Sequence, residues 1–319
     1  MTHEIYDAPC DPMTARFQIL PVPFDATTSY RSGTANGPAA IFAASVQVDL
    51  RDVDVGSPYL AGIHMAPIPE DVLKRNAQAT ASKDPEVVNK LTAQNNAFTY
   101  EWSKGILAKG QTPVILGGDH SVPLGNIRAC AEHHESIGIL HIDAHADLRQ
   151  GYNDFADSHA SIMYNVVTQV PQVARLIQVG VRDYCDEEAD LIDGSSGRVQ
   201  TFFDPDLRRA RMSGKLMPFF ENIISHLPQK VYLSVDIDGL DPTLCPSTGT
   251  PVPGGLRFDE FVTLLEILAS SGKTIIGLDL VEVAVPSDLA KDSWGECWDA
   301  NVGARVLYKM IGFALKTYT

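Results

Sequence analysis

The stretch Leu140 to Leu148 reads LHIDAHADL, and Asp143, His145 and Asp147 take every second position in it. Alternate side chains of an extended chain share one face. A single strand end would therefore present carboxylate, imidazole and carboxylate side by side, donors suited to a divalent cation. A lone Asp at a strand end is ordinarily a turn former, but here the pattern recurs. VYLSVDIDGLDP places Asp236 and Asp238 on one face with Asp241 just beyond, and VILGGDHS places Asp119 and His120 at the end of a third apolar run. The best donors are His120, Asp143, His145, Asp147, Asp236 and Asp238. Six side chains, four of them carboxylates, exceed what one tetrahedral zinc needs. They suit two divalent ions that share carboxylates. An oxygen-rich set with some imidazole favours Mn²⁺ or a similar first-row ion such as Ni²⁺. Two ions about 3.5–4 Å apart can acidify a water held between them and so generate a nucleophile near neutral pH.

Such donors need a rigid frame. Apolar, Val/Ile-rich runs at 17–23, 112–118, 137–143, 175–181, 199–203, 231–237 and 274–283 read as strands covered on both faces. Between them, 38–46, 86–108, 122–133, 159–169, 214–227, 258–271 and 298–315 read as helices; in the sixth, Phe258, Phe261, Val262, Leu265 and Leu268 recur at helical spacing. Strand and helix in alternation predict an α/β fold, a parallel sheet with helices on both faces. No linker-like or repetitive segment divides the chain, so residues 1–319 read as a single domain. Active sites of such sheets lie at the carboxyl ends of the strands, where the three acidic turns fall.

Composition limits the partners. Hydrophobic residues make up 45% and charged residues 20%, enough for a large core, and the formal net charge is −15. An acidic surface argues against nucleic acid and anionic membranes and suits a small cationic ligand. Five cysteines without C-x-x-C spacing read as reduced thiols. The opening MTHEIYDAPCDPM has neither a basic start nor an apolar core, so no signal peptide is read and a cytoplasmic location is expected. No G-x-G-x-x-G follows an early strand, and the GKT at 272–274 lacks the first glycine of a phosphate-binding loop.

GGDHS, DAHAD and SVDIDGLDP strongly resemble the three signatures of the ureohydrolases, the arginase–agmatinase family. The resemblance extends over nearly the whole chain, through LPVPFDATTSYRSGTANGPAAI (20–41), GTPVPGGL (249–256) and GLDLVEV (277–283). It implies a three-layer α/β/α sandwich around a mostly parallel sheet, and two Mn²⁺ per chain. One ion would be held by His120, Asp143, Asp147 and Asp236, the other by Asp143, His145, Asp236 and Asp238, with Asp143 and Asp236 bridging. It further implies Glu282 as the guanidinium anchor, a role a carboxylate can fill through a bidentate pair, His159 as proton shuttle, and Asp238 as a stabiliser of the tetrahedral intermediate. Trimers or hexamers are the expected assemblies.

The implied reaction is hydrolysis of a guanidino compound to urea and an amine. Arginases carry R-D-V-D-P where this chain has VRDYCDEE, with Cys185 in place of the second Asp. The amino-group carboxylate of an arginase is therefore missing, and agmatine, giving putrescine, is the expected substrate. Formiminoglutamate, guanidinobutyrate, guanidinopropionate, guanidine and arginine are the alternatives within the family. A non-catalytic metal-binding protein is the alternative outside it. The loop 148–158 offers Arg149, Gln150, Tyr152 and Asn153 as tail contacts, and Asp154, Asp157, Asp183 and Asp186 are expected to form an acidic rim. Arg149 reads as a solvated cation. Asp119 and Asp241 are expected to orient ligands from behind, and His3, His64, His133, His134, His141 and His226 read as ordinary. Trp294 and Trp298 are assigned either to the pocket rim or to a subunit contact.

Overall fold

The computed structural model describes residues 4–82 and 84–318. Eight strands form one sheet: β1 (Phe17–Val22), β2 (Ile63–Met65), β3 (Thr112–Gly117), β4 (Ile137–Ile142), β5 (Val173–Val179), β6 (Val199–Phe202), β7 (Lys230–Asp236) and β8 (Thr274–Val281). Their order is β2-β1-β3-β8-β7-β4-β5-β6, and every neighbouring pair is parallel. The helices are α1 (Gly37–Ser45), α2 (Glu70–Ser82), α3 (Pro85–Leu107), α4 (Leu124–His133), α5 (Ile162–Gln169), α6 (Asp186–Gly194), α7 (Asp204–Met212), α8 (Leu216–Ser225), α9 (Phe258–Ser270) and α10 (Trp298–Lys316).

The two-residue period of the strands sorts the core into layers. Leu140 and Ile142 of β4 and Leu233 and Val235 of β7 pack with Ile41 of α1, Ile223 of α8, Phe261 of α9 and Tyr308 and Phe313 of α10. Ile137 and Ile139, with Tyr232, pack on the other face against Leu124 and Ile127 of α4 and Met163 and Val166 of α5. Ile115 and Leu20 meet Val72 of α2 and Val88 and Leu91 of α3. The result is the three-layer α/β/α arrangement that the alternation of elements predicts.

Eleven of the fourteen expected strand boundaries fall within one residue of the observed ones; β5 starts and ends two residues earlier than expected and β8 ends two residues earlier. The larger departures are whole elements. β2 was not expected: it has three residues, one of them His64, too short a run to show periodicity. Helices α2, α6 and α7 were also not expected. α6 and α7 carry Asp or Glu in the first turn and bury few apolar residues, so their sequences lack an apolar stripe.

The central quartet β3-β8-β7-β4 is what positions the site. Each of these four neighbours runs at its carboxyl end into one acidic turn: 119–120, 282, 236–238 and 143–147. A Cβ on Gly239 would stand 2.6 Å from the Asp143 amide nitrogen. Glycine there lets the acid-bearing turns after β7 and β4 close against one another.

Candidate metal centre and its cavity

The six donors named from the sequence converge. His120 Nδ1 lies 3.1 Å from Asp143 Oδ2, 3.1 Å from Asp147 Oδ2 and 3.4 Å from Asp236 Oδ2. His145 Nδ1 lies 3.4 Å from Asp143 Oδ1 and 3.2 Å from Asp238 Oδ2. Asp143 thus belongs to both groups, and Asp236 joins them by accepting the Asp238 amide on Oδ1 at 2.8 Å. Apart from His145, which is about a quarter exposed, these side chains are nearly shut off from water.

The chemistry of the set fits metal. Burial, then the charge of Asp143, pushes the Asp147 carboxyl up to about 7. Burial, with Asp238 and Asp143 nearby, raises Asp236 well above the carboxylate range. Glu282 is raised the same way by burial and Asp119. Burial works against the charge of His145 too, yet Asp238 and Asp143 carry its ring up to about 12. Crowded carboxylates that must retain protons are a surplus of negative charge that divalent cations would neutralise.

Partners behind the donors fix their orientation. His120 Nε2 is 3.1 Å from Ser234 Oγ, and Ser234 donates to Asp279 Oδ1 at 2.9 Å. The Ser234 proton being used on Asp279, Nε2–H of His120 donates to Ser234 and Nδ1 is the atom turned to the carboxylates. His141, read as ordinary from the sequence, stands 2.8 Å through Nε2 from Asp143 Oδ2, with Gln178 Nε2 donating to its Nδ1 at 3.0 Å. Its parity with Asp143 along β4 was the available signal. Asp238 accepts from the Ala144 amide at 3.0 Å and from Thr250 Oγ1 at 3.2 Å. The half-buried Arg182 ties this corner together, donating to the carbonyls of Gly180, Asp238 and Val252.

Asp119 does sit behind the site. Its two oxygens accept from Thr27 and Ser121, and burial lifts its carboxyl to about 6. Asp241 differs from expectation: it caps its own turn, accepting the Thr243 amide and hydroxyl at 2.9 and 2.7 Å. Glu282 accepts the His120 amide on Oε1 at 2.9 Å. Its backbone is left-handed at φ 62, as is Asp147 at φ 54. Such non-glycine conformations cost of order 1–3 kcal/mol each and persist where surroundings over-determine them. Here the Glu282 amide donates to Gly118 O and its carbonyl accepts from Thr248 Oγ1, both at 2.8 Å. The Asp147 carbonyl accepts the amides of Met163 and Tyr164 at the start of α5.

A cavity of about 570 Å³ opens above these residues, lined among others by His145, Asp147, Arg149, Tyr152, His159 and Asp183. His159 is held from below: its amide donates to Thr27 Oγ1 at 3.0 Å, and Nε2 is 3.2 Å from Ser29 Oγ. Burial, then the charge of His145, lowers its ring to about 4, so it is neutral.

The mouth departs from the expected picture in three ways. Asn153 and Asp154 lie exposed on the tip of a Tyr152–Phe155 turn, both at positive φ, and are outside the cavity lining. Asp157 lies in a separate groove with Arg128 and Gln169, and Asp186 opens α6 away from the lining. Arg149 is not a free solvated cation: Nε is 3.7 Å from Glu188 Oε2 and its guanidinium lies 4.9 Å over the Tyr152 ring. Glu188 is a buried carboxylate missed in the sequence. It accepts the Leu148 and Cys185 amides, each at 2.9 Å, and so joins the loop after β4 to α6. Its signal was a capping box, obscured because Cys185 occupies the N-cap.

Of the remaining positions, Trp294 is buried in the core, whereas Trp298 is exposed and donates to Thr243 O. All five cysteines are free thiols. No described helix is long and apolar enough to cross a membrane. His3 lies outside the described residues.

Comparison with known proteins agrees with this geometry. A family model, described as the Arginase family, matches residues 15–312. N(1)-aminopropylagmatine ureohydrolase of Thermus thermophilus is 34% identical over 284 residues, covering 87% of this chain and 85% of that protein. Guanidinobutyrase of Pseudomonas aeruginosa is 30% identical over 319 residues, covering 98% and 89%. The solved structure of agmatine ureohydrolase of Thermoplasma volcanium superposes with a TM-score of 0.78 at 23% identity, covering 100% of this chain and 96% of that one. This last likeness is one of fold.

Proposed function

This chain belongs to the arginase family, and on that premise we propose that it hydrolyses a linear guanidino amine, agmatine first, to urea and the free amine. Members of the family are amidinohydrolases that act on guanidino C–N bonds with a pair of metal ions. Here His120, Asp143, Asp147 and Asp236 would hold one ion and Asp143, His145, Asp236 and Asp238 the other, and four carboxylates against two imidazoles favour Mn²⁺. Such a pair, when bound, supplies Lewis acidity and an acidified water.

The observation that carries the reading is Glu282 beside this cluster. One of its oxygens is spent on the His120 amide. The other faces Gly249, where a Cβ would stand only 3.2 Å away. Glycine leaves room there for a planar guanidinium to pair with the carboxylate. Asp238, held by the Ala144 amide and Thr250 Oγ1, is the carboxylate assigned to stabilising the tetrahedral intermediate. Neutral His159 can take a proton and return it to the departing amine. The balance is simple: guanidinium and water give urea and an ammonium, so protons move but none is gained or lost overall.

For the tail, the cavity offers Asp183 to a cationic end, while Cys185 cannot supply a fixed negative charge unless ionised. A second reading rests on Arg149. It lines the same cavity, and a guanidino acid could place its carboxylate there. With added Mn²⁺, urea release should be compared for agmatine, N(1)-aminopropylagmatine, arginine, 4-guanidinobutyrate and guanidine, and formamide release measured for formiminoglutamate. The highest catalytic efficiency on a guanidino amine supports the first reading. The highest on 4-guanidinobutyrate supports the second, and neither urea nor formamide from any of them would leave a non-catalytic metal-binding protein.

A further inference from the structure

At the edge of the sheet, separated from the central quartet by β1, three different metal-ligating side chains meet. Glu4 precedes a short 3-10 turn (Ile5–Asp7), Cys10 follows it, and His64 is the middle residue of β2. One donor atom from each lies within 4.8 Å of the other two. His64 Nδ1 is shut from solvent and makes no hydrogen bond among the described residues, with Glu4 Oε2 3.4 Å away. A buried imidazole nitrogen left without a hydrogen bond costs free energy, so its orientation toward Glu4 calls for a reason. Cys10 Sγ donates to Ile63 O at 3.2 Å, on the residue next to His64.

We infer that Glu4, Cys10 and His64 form a third cation site, separate from the dinuclear centre, for Zn²⁺ or a similarly borderline-soft divalent ion. The chemistry of the donors decides the class of ion. Thiolate, imidazole and carboxylate together are a zinc-type set, whereas the oxygen-rich central cluster suits harder ions. Metal–ligand bonds of about 2.0–2.3 Å in a tetrahedron put donors about 3.3–3.6 Å apart. The Glu4–His64 separation of 3.4 Å already meets that spacing, and Cys10 needs a side-chain adjustment on the order of 1 Å. Three protein ligands leave the fourth position to water.

Binding exchanges the hydrogen bond from Cys10 Sγ–H to Ile63 O for a sulfur–metal bond, and the thiol proton leaves to solvent. Burial, with Glu4 and Asp11 nearby, raises that thiol in the metal-free protein, so a cation at this place would reverse a local excess of negative charge. The ion would fasten the turn at Ile5–Asp7 to β2, an edge strand that among the described residues pairs with β1 alone. That is a structural site, and the reaction at the other end of the strands does not depend on it.

Cobalt(II) tests this in the full-length enzyme already reconstituted with Mn²⁺. The central cluster contains no cysteine, so a thiolate-to-cobalt charge-transfer band reports the third site alone. The expected result is one such band, saturating at one ion per chain and removed by stoichiometric zinc(II). Cys10→Ser should abolish it and His64→Ala should weaken cobalt binding at least tenfold, with urea release by both variants unchanged; that activity also shows that they are folded. No band in the wild-type protein, or a band that survives Cys10→Ser, would overturn the assignment.

Discussion

The floor of the cavity and its mouth are built on different principles. On the floor, Asp147 lines the cavity, and Asp143, Asp236, Asp238, His120 and Glu282 are packed behind it on the ends of four adjacent strands, buried, with backbone amides or fixed side chains for partners. At the mouth, Arg149, Tyr152 and Asp183 come from loops and stay partly exposed. Rigid strand ends hold reacting groups in one geometry, while loops vary at little cost to the core. In the proposed function the floor sets the reaction and the mouth selects the substrate. Substitutions in the two regions should differ in kind as well as in size.

The largest effect belongs to Asp143→Ala, which removes a donor from both proposed ion sites. Urea release should fall to background, and elemental analysis should show fewer than two ions per chain. Full activity with two ions retained would mean that the floor is not organised around Asp143. Next comes Glu282→Gln, which keeps the metals but loses the charge opposite the guanidinium. Removing one partner of a desolvated charge pair costs about 2–5 kcal/mol, roughly 30- to 5,000-fold in kcat/KM. Wild-type kinetics in this variant would remove Glu282 from the substrate. Ser234→Ala frees Nε2 of His120 and should weaken metal binding by about 10–100-fold without touching a ligand. Titration of the metal-free protein would check it, and an unchanged affinity would show that the orienting chain to Asp279 is idle.

The same division explains what was legible in the sequence. Asp143, His145 and Asp147 announce themselves because strand periodicity puts them on one face, and the turns at 119–120 and 236–238 repeat the device. The alternation of strand and helix likewise points to the layers. His141 shares the parity of Asp143, yet spacing alone does not separate a ligand from a residue that braces one; that depends on Gln178, 37 positions away. At the mouth, local sequence says little. Asn153 and Asp157 sit in a polar loop close to the metal-binding run, but the Tyr152–Phe155 turn directs them away from the cavity. Arg149 looks solvated until Glu188, distant in sequence and hidden in an unconventional cap, is brought beside it.

Smaller effects are expected from the mouth. Arg149→Ala removes a partly exposed charge worth about 1 kcal/mol, so the ratio of kcat/KM for agmatine to that for 4-guanidinobutyrate should rise about fivefold, with metal content unchanged. A fall in the ratio would show that Arg149 serves the cationic substrate, for instance by positioning Glu188.

The smallest effect on turnover, and one on stability alone, should come from Glu260→Gln at the base of the 249–256 loop. Glu260 accepts from Arg211, which also donates to Gly255 O. Burial opposes its charge, but Arg211 and Arg257 hold its carboxyl below the usual value. A lowered carboxyl stabilises the fold above its unfolded pKa and loses that contribution as pH falls through the folded one. The variant should be less stable by about 1 kcal/mol at pH 7, a modest figure because Arg211 is partly exposed, and the gap should close at an acid pH below the lowered folded value of the carboxyl. Thermal unfolding at the two pH values reads this directly; a gap that widened in acid would contradict the ion pair.

The most direct measurement of the floor's chemistry is carbon-13 NMR of agmatine labelled at the guanidino carbon, incubated with enzyme carrying two Mn²⁺ per chain. The expected result is conversion of the guanidinium signal to urea, one urea for each putrescine formed, and none with Asp143→Ala. A guanidinium signal that persists for agmatine and for every other labelled guanidino compound, with both ions bound, would contradict the assignment of this centre to guanidino hydrolysis.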